Sequence, residues 1–228
     1  LLSLGGTPPQ IGTTRHVREG YPLVGLWAQR IQGFQDRNND GIITYNVNPA
    51  LNEIFVDSAF SFAGYNQPRH QLAATTGIDL FRRRLRIQTL FDYRGGNLYY
   101  NNTERIRCAS RQNCEGLMSP DASLARQATV VAHRDHPTRT LWGFFEKGDF
   151  VRLRELSVNF SAPERLAARL RARSLNVTLT GRNLGVWTDY TGVDPETDFT
   201  ATSGNDTPSD FQTIGPPSLF VFRVNLGF

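Results

Sequence analysis

No stretch of this 228-residue sequence approaches the roughly 20 consecutive apolar residues that a membrane-spanning helix requires. Helical membrane proteins are thereby excluded. The mean hydropathy of −0.39 resembles that of a soluble chain, yet a barrel strand needs only about 10 residues with every second one apolar, so its average is unremarkable. Charge of one sign is not in large excess: 25 Lys and Arg stand against 21 Asp and Glu, leaving a net +4. The basic residues are scattered among acidic ones, so nucleic acid is not an implied partner despite the high pI. Cysteine is limited to Cys108 and Cys114. They lie close together in a polar stretch without His or Cys at zinc spacing, and the preferred reading is a local disulfide in an oxidising compartment. The opening Leu1-Leu2-Ser3-Leu4-Gly5-Gly6 lacks the parts of a signal peptide and an initiating Met, so the chain is expected to begin inside a longer polypeptide.

Catalytic signatures are also absent. There is no Ser-His-Asp constellation, phosphate-binding glycine loop or dinucleotide fingerprint, and an enzyme is not expected. Asp189, Asp194, Glu196 and Asp198 could be mistaken for paired hydrolase carboxylates, but Gly192 and Pro195 put them in a loop. His133 and His136, three apart before Pro137, offer no third ligand nearby and read as a solvated loop. Asp36-Arg37-Asn38-Asn39-Asp40-Gly41 matches the first half of an EF-hand loop, which makes Asp36, Asn38 and Asp40 a calcium candidate. The position of that loop's bidentate Glu is occupied by Val47, and Asx-type turns account for the same residues. No other cofactor is expected.

What is present is alternation with period two, in about six strand candidates, leaving little room for long amphipathic helices. At the end of the chain Phe220, Phe222, Val224, Leu226 and Phe228 share one phase, opposed to Val221, Arg223, Asn225 and Gly227. Residues 175–182 set Leu175, Val177 and Leu179 against Asn176, Thr178, Thr180 and Arg182, and the phase slips near Asn183, where a bulge could absorb it. Residues 71–80 and 85–93 alternate likewise and are joined by residues 81–84, short enough for a hairpin. Residues 150–160 change phase, which places a bulge near Glu155 and leaves their facing open; residues 21–34 form a poorly alternating strand. Connections 81–84 and 162–172 are short, whereas 35–67, 98–148 and 191–216 are long. Short turns at one rim and long loops at the other describe a barrel. The turn at 162–172 reads as a helical turn started by Pro163.

A soluble sandwich alternates too, with one sheet face on a core and the other in water. The membrane is favoured by the terminal aromatic, by the grouping of long loops and by aromatics near strand ends. Tyr93, Tyr99, Tyr100, Trp142, Phe144, Phe145, Trp187 and Tyr190 are expected near a lipid–water interface. The alternative is a secreted β-sandwich that binds calcium or carbohydrate.

The residues carry more than the pattern. Glu146 to Pro163 resembles the late-barrel signature of TonB-dependent receptors of the SusC/RagA type, in which an aromatic-apolar-Arg-Leu strand leads to a proline turn. Arg182-Asn183-Leu184, then Thr188 to Gly192 with Tyr190, then Asp194-Pro195-Glu196, is similar to the same family's GxNL … T-x-Y-x-G-x-DPE run. Gly20 to Leu23, Gly33 to Asp36 and Asn38 to Thr44 are similar to an earlier family segment, and Phe91 to Asn97 fits a hairpin strand. The resemblance covers about residues 20–228. Its departures are the Cys108/Cys114 loop and the arginine-rich turns at 82–84 and 164–173.

The resemblance implies an all-β fold, an antiparallel transmembrane β-barrel of about 22 strands with an amino-terminal plug. Residues 1–228 would be its carboxy-terminal part, with long extracellular loops and short periplasmic turns, in the outer membrane of a Gram-negative-type bacterium. It further implies import of oligosaccharides or peptides, a SusD-like surface lipoprotein as partner, and energy from TonB through the plug. Plug and TonB-contacting segment are not found in the chain, so this piece alone is not expected to transport. Phe220 to Phe228 would be the signal read by the barrel-assembly machinery, and Arg86, Arg182 and Arg223 would face the lumen.

Overall fold

The computed structural model describes residues 3, 5, 10–11, 14–23, 25–199 and 209–228. Most of the reading of Leu1 to Gly6, and residues 200–208 of the connection 191–216, lie outside the described residues. In chain order the strands are β1 (Gln10–Ile11), β2 (His16–Val17), β3 (Gly25–Phe34), β4 (Ile54–Tyr65), β5 (His70–Leu80), β6 (Leu85–Gly95), β7 (Leu98–Tyr100), β8 (Phe145–Lys147), β9 (Phe150–Ser161), β10 (Ser174–Thr188) and β11 (Leu219–Gly227). The α-helices are α1 (Asn102–Ile106), α2 (Glu115–Met118), α3 (Leu124–Arg134) and α4 (Glu164–Arg169). The fold is mainly antiparallel β, and the chain divides into two compact units.

One unit comprises residues 70–95, 149–189 and 216–228. It is a single five-stranded antiparallel sheet in the order β11-β10-β9-β6-β5. Branched and aromatic residues alternating with polar ones suit a sheet whose two faces meet different surroundings. The expected hairpin at 81–84 is there, with Leu80 opposite Leu85. Its Phe81, Arg82 and Arg83 all have positive φ, 51°, 57° and 66°, an unusual run for residues other than glycine. After β9, Pro163 caps α4 as expected from the proline start, and the buried Ala167 fixes that short helix to its surroundings.

The other unit comprises residues 1–69, 96–148 and 190–215. It holds the β3–β4 hairpin, the β7–β8 pair and helices α1 to α3. Two expectations are corrected here. The connection 35–67 contains a 12-residue strand, β4, in which Phe60 and Phe62 lie two apart in one phase. The connection 98–148 contains an 11-residue amphipathic helix, α3, capped by Ser123, whose hydroxyl accepts from the Arg126 amide at 3.3 Å. Ala128, Val131 and Ala132 of α3 pack with Ile43 and Ile54, while Val130 packs with Ala28, Tyr100, Leu141, Phe144 and both cysteines. The unit therefore has its own apolar core. Cys108 and Cys114 form the expected disulfide.

Candidate functional site

The sheet of β5, β6, β9, β10 and β11 is built so that its two faces differ chemically, and register shows how. Residues directly opposite in antiparallel strands share a face. Leu80, Leu85, Phe160, Val177 and Val224 form one row across all five strands, and Ile78, Ile87, Val158, Leu179 and Phe222 form the next. Every member of both rows is apolar. On the opposite face Asp79, Arg86, Asn159, Thr178 and Arg223 form a row, followed by Gly77, Gln88, Ser157, Thr180 and Val221. Arg86, Arg182 and Arg223 thus share the polar face.

A bulge keeps the apolar residues of β9 on one face. Between Glu155 and Leu153 the ladder to β6 shifts by one residue, and Arg154 is the extra one. The facing of residues 150–160, open in the sequence, is thereby settled: Val151 and Leu153 lie on the same face as Leu156, Val158 and Phe160. Across the ladder the register to β10 shifts between Arg182 and Gly185, where Asn183 takes φ 52°, so irregularities stand at both expected places; β10 itself keeps its phase, with Gly185 and Trp187 on the face of Leu179 and Val186 opposite Arg152 on the polar face. Without the β9 bulge Val151 and Leu153 would point to the polar face.

The polar face carries charge in pairs. Arg154 donates to Asp92 from Nη2 at 2.7 Å and from Nε at 3.0 Å, Arg182 donates to Glu155 at 3.1 Å, and Arg86 reaches Asp79 at 3.4 Å. Asn159 donates to Thr178 at 2.8 Å, and Ser161 to Asn176 at 2.7 Å. The Asp92–Arg154 pair escaped sequence reasoning, because only the bulge brings Arg154 to the side of Asp92. Such a face can line an aqueous passage and hold polar solute. On the other face, Phe220, Phe222, Val224, Leu226 and Phe228 are all exposed.

In the second unit the calcium candidate has its oxygens engaged by the loop's own amides. Asp36 Oδ2 accepts from the Gly41 amide at 2.8 Å, and Asp40 Oδ1 accepts from that of Ile42 at 2.8 Å. Asn38 accepts from the Asp40 amide at 3.1 Å and donates to the Asp40 carboxylate at 2.8 Å. This is an Asx-turn arrangement. A residue not singled out in the sequence organises the same loop: buried Glu53 accepts from the Arg37 amide at 2.9 Å and from the Thr44 amide at 2.8 Å. Burial alone would raise the Glu53 carboxyl, but the hydrogen bonds from Arg37 and Thr44 outweigh it and hold the group below its ordinary range.

The motif residues Tyr190, Gly192, Asp194, Pro195 and Glu196 belong to this unit, whereas Asn183 lies in the bulge of β10. Tyr190 is buried and meets the Tyr99 ring edge-on at 5.3 Å. Burial, with Asp210 beside it, raises its phenol far above the usual range, and burial raises that of Tyr100 to about 12. Asp194 caps the Glu196 amide at 2.9 Å, a contact within the loop. Glu146, also buried in part, accepts from the Thr191 amide at 2.9 Å. The expectation of an interfacial belt is corrected for Tyr99, Tyr100, Phe144 and Tyr190, which are buried within the unit, while Trp187 of the sheet is 56% exposed. His133 is likewise not in a solvated loop: it ends α3, half-buried, with Nδ1 2.9 Å from the Arg139 carbonyl. Among the described residues one group of metal-ligand types comes together, Glu104, Cys108 and Cys114, and the disulfide takes both sulfurs.

No family model matches the chain. TonB-dependent receptor P26 of Formosa agariphila is 23% identical over a match covering 86% of this chain and 20% of that protein. TonB-dependent receptor P3 of the same organism is 35% identical over 23% of this chain and 5% of its own length. The RagAB peptide importer in its closed-closed state superposes with a TM-score of 0.65 at 19% identity, covering 98% of this chain and 25% of that one. The RagAB peptide transporter gives 0.62 at 16% identity, covering 95% and 24%. The likeness is to TonB-dependent receptors of the SusC/RagA type. The chain spans about a quarter or less of the length of each relative it matches. The motif resemblance and both comparisons agree, and the shared fold is that of a TonB-dependent barrel protein.

Proposed function

We propose that the chain is the carboxy-terminal wall of an outer-membrane β-barrel that imports nutrients by a TonB-dependent route, with oligosaccharides or peptides as cargo. One observation carries this reading: the five-stranded sheet sets wholly apolar rows on one face against rows bearing ion pairs and polar groups on the other, with the β9 bulge holding Val151 and Leu153 on the apolar side. Hydrocarbon requires the first and a water-filled lumen the second. The relatives are receptors and transporters, which supports transport over catalysis. RagAB is described as a peptide transporter, which supports peptide among the cargoes. In this reading a SusD-like lipoprotein caps the barrel, TonB acts through a plug domain, and the strand ending at Phe228 is read by the assembly machinery. Calcium at Asp36, Asn38 and Asp40 stays a subsidiary proposal.

A secreted sandwich would lay a second sheet on the apolar face. The described residues of this unit form one sheet only, which favours the barrel. Fractionation of the cells that express the protein tests the choice. The barrel stays with the outer membrane after a high-salt wash and is released by detergent; recovery in the soluble fraction would overturn the proposal.

A further inference from the structure

The sheet's short-turn rim is a charged surface that the transport reading does not use. Seven arginines gather there: Arg82, Arg83 and Arg84 in the β5–β6 turn, and Arg165, Arg169, Arg171 and Arg173 between β9 and β10. The two turns are neighbours, because β6 pairs with β9 and the Ser161 amide donates to the Arg84 carbonyl at 2.8 Å. Arg173 is tied to the end of β11 by its amide, which donates to the Gly227 carbonyl at 2.6 Å. All seven are exposed. Glu164 is the one acidic residue in the two turns, and none of the seven arginines has a carboxylate partner among the described residues. Directly beside them the apolar face ends in exposed rings and aliphatic chains: Phe81 is 74% exposed and Phe228 77%, with Leu80, Phe160, Leu166 and Leu170 also open. Arg82, Arg83 and Arg171 moreover hold positive φ, where glycine or asparagine would fit more cheaply.

We infer that this rim binds the headgroups of anionic phospholipids in the membrane leaflet next to the short turns. Unpaired guanidinium groups above a greasy band match a phosphate layer above acyl chains, and arginine grips phosphate through two parallel N–H donors. The inference rests on the proposed membrane-spanning sheet.

The test uses the protein as its cells make it, purified in detergent and placed in nanodiscs of phosphatidylethanolamine alone or with one-fifth phosphatidylglycerol by design. Native mass spectrometry then counts the phosphatidylglycerol that stays bound. The ratio of phosphatidylglycerol to phosphatidylethanolamine retained should exceed that of the mixture about tenfold and fall close to it when Arg82, Arg83, Arg165 and Arg169 are changed to Gln, while the four Lys replacements keep most of the excess. Insertion without enrichment, or enrichment that survives the Gln changes, would overturn the inference and leave the barrel standing. Failure to insert in either bilayer would overturn the barrel reading itself. Arginine-dependent capture of an acidic soluble protein without lipid preference would assign the rim to a protein partner and also overturn it.

Discussion

At the scale of single residues, much rests on carboxylates that satisfy backbone amides. Glu53 is the clearest case, since it serves the amides of Arg37 and Thr44 and the Thr44 hydroxyl from a buried position. Its folded value is depressed below the ordinary 4.5, so the carboxylate contributes stability above that value and loses it as pH falls through the folded value. Hydrogen exchange at the Arg37 and Thr44 amides, corrected for intrinsic rates, should stay protected from neutral pH down to the ordinary 4.5 and open only as pH falls further, through the depressed folded value. Glu53→Gln replaces one acceptor oxygen by a donor facing those same N–H groups, and should open the loop at neutral pH by about 1–3 kcal/mol. Equal protection in the variant would show that the loop is held by other contacts. Glu53 could not be singled out in the sequence, because a Glu before a strand is ordinary and its burial depends on the 37–44 loop folding back over it. Asp36, Asn38 and Asp40 were legible as a turn-forming trio, since each bonds within a few residues of itself.

Between residues and the whole lie the strands, whose alternation was the most readable feature. β5, β6 and β11 follow their hydrophobic phase because each has one face of each kind, and the slip near Glu155 was visible as a break in that phase, whereas the break read near Asn183 marks a register shift that leaves Val186 on the polar face opposite Arg152. What a single strand cannot reveal is that the two irregularities oppose each other across the ladder. β4 went unread although Phe60 and Phe62 alternate, because Asn- and Pro-rich residues before it and a short break after it give its surroundings the composition of a loop. The helices of 102–134 were missed for a different reason: α1 and α2 span five and four residues, too few for a periodic signal, and α3 buries small residues, Ala128 and Ala132, that barely mark a face. β11 gives the sharpest test of facing. An arginine replacing Val224 should cost about 2–4 kcal/mol and lower the assembled receptor in the outer membrane, whereas one replacing its neighbour Asn225 should be tolerated. Immunoblots of membrane fractions measure this directly, and equal losses at the two positions would refute the assignment of faces.

For the molecule as a whole, the decisive feature is that the sheet is open. β5 and β11 each have one edge without a strand partner among the described residues, and hydrocarbon offers no water to satisfy the N–H and C=O groups along such an edge. In the proposed barrel those edges are covered by further strands of the wall, whereas the second unit has an apolar core of its own and needs no such closure. The two units should therefore respond differently to isolation. Residues 1–228 produced alone should fail to insert into lipid vesicles and should aggregate through the exposed β11 edge, whose outward Phe220, Phe222 and Val224 form a β-rich apolar segment. Within that aggregate, proteolysis should leave a resistant piece containing α3 and the Cys108–Cys114 disulfide, because their packing does not depend on lipid. Insertion of the isolated chain as a stable monomer would mean that five strands can satisfy their own edges, and the argument from open edges to a larger barrel would fail with it.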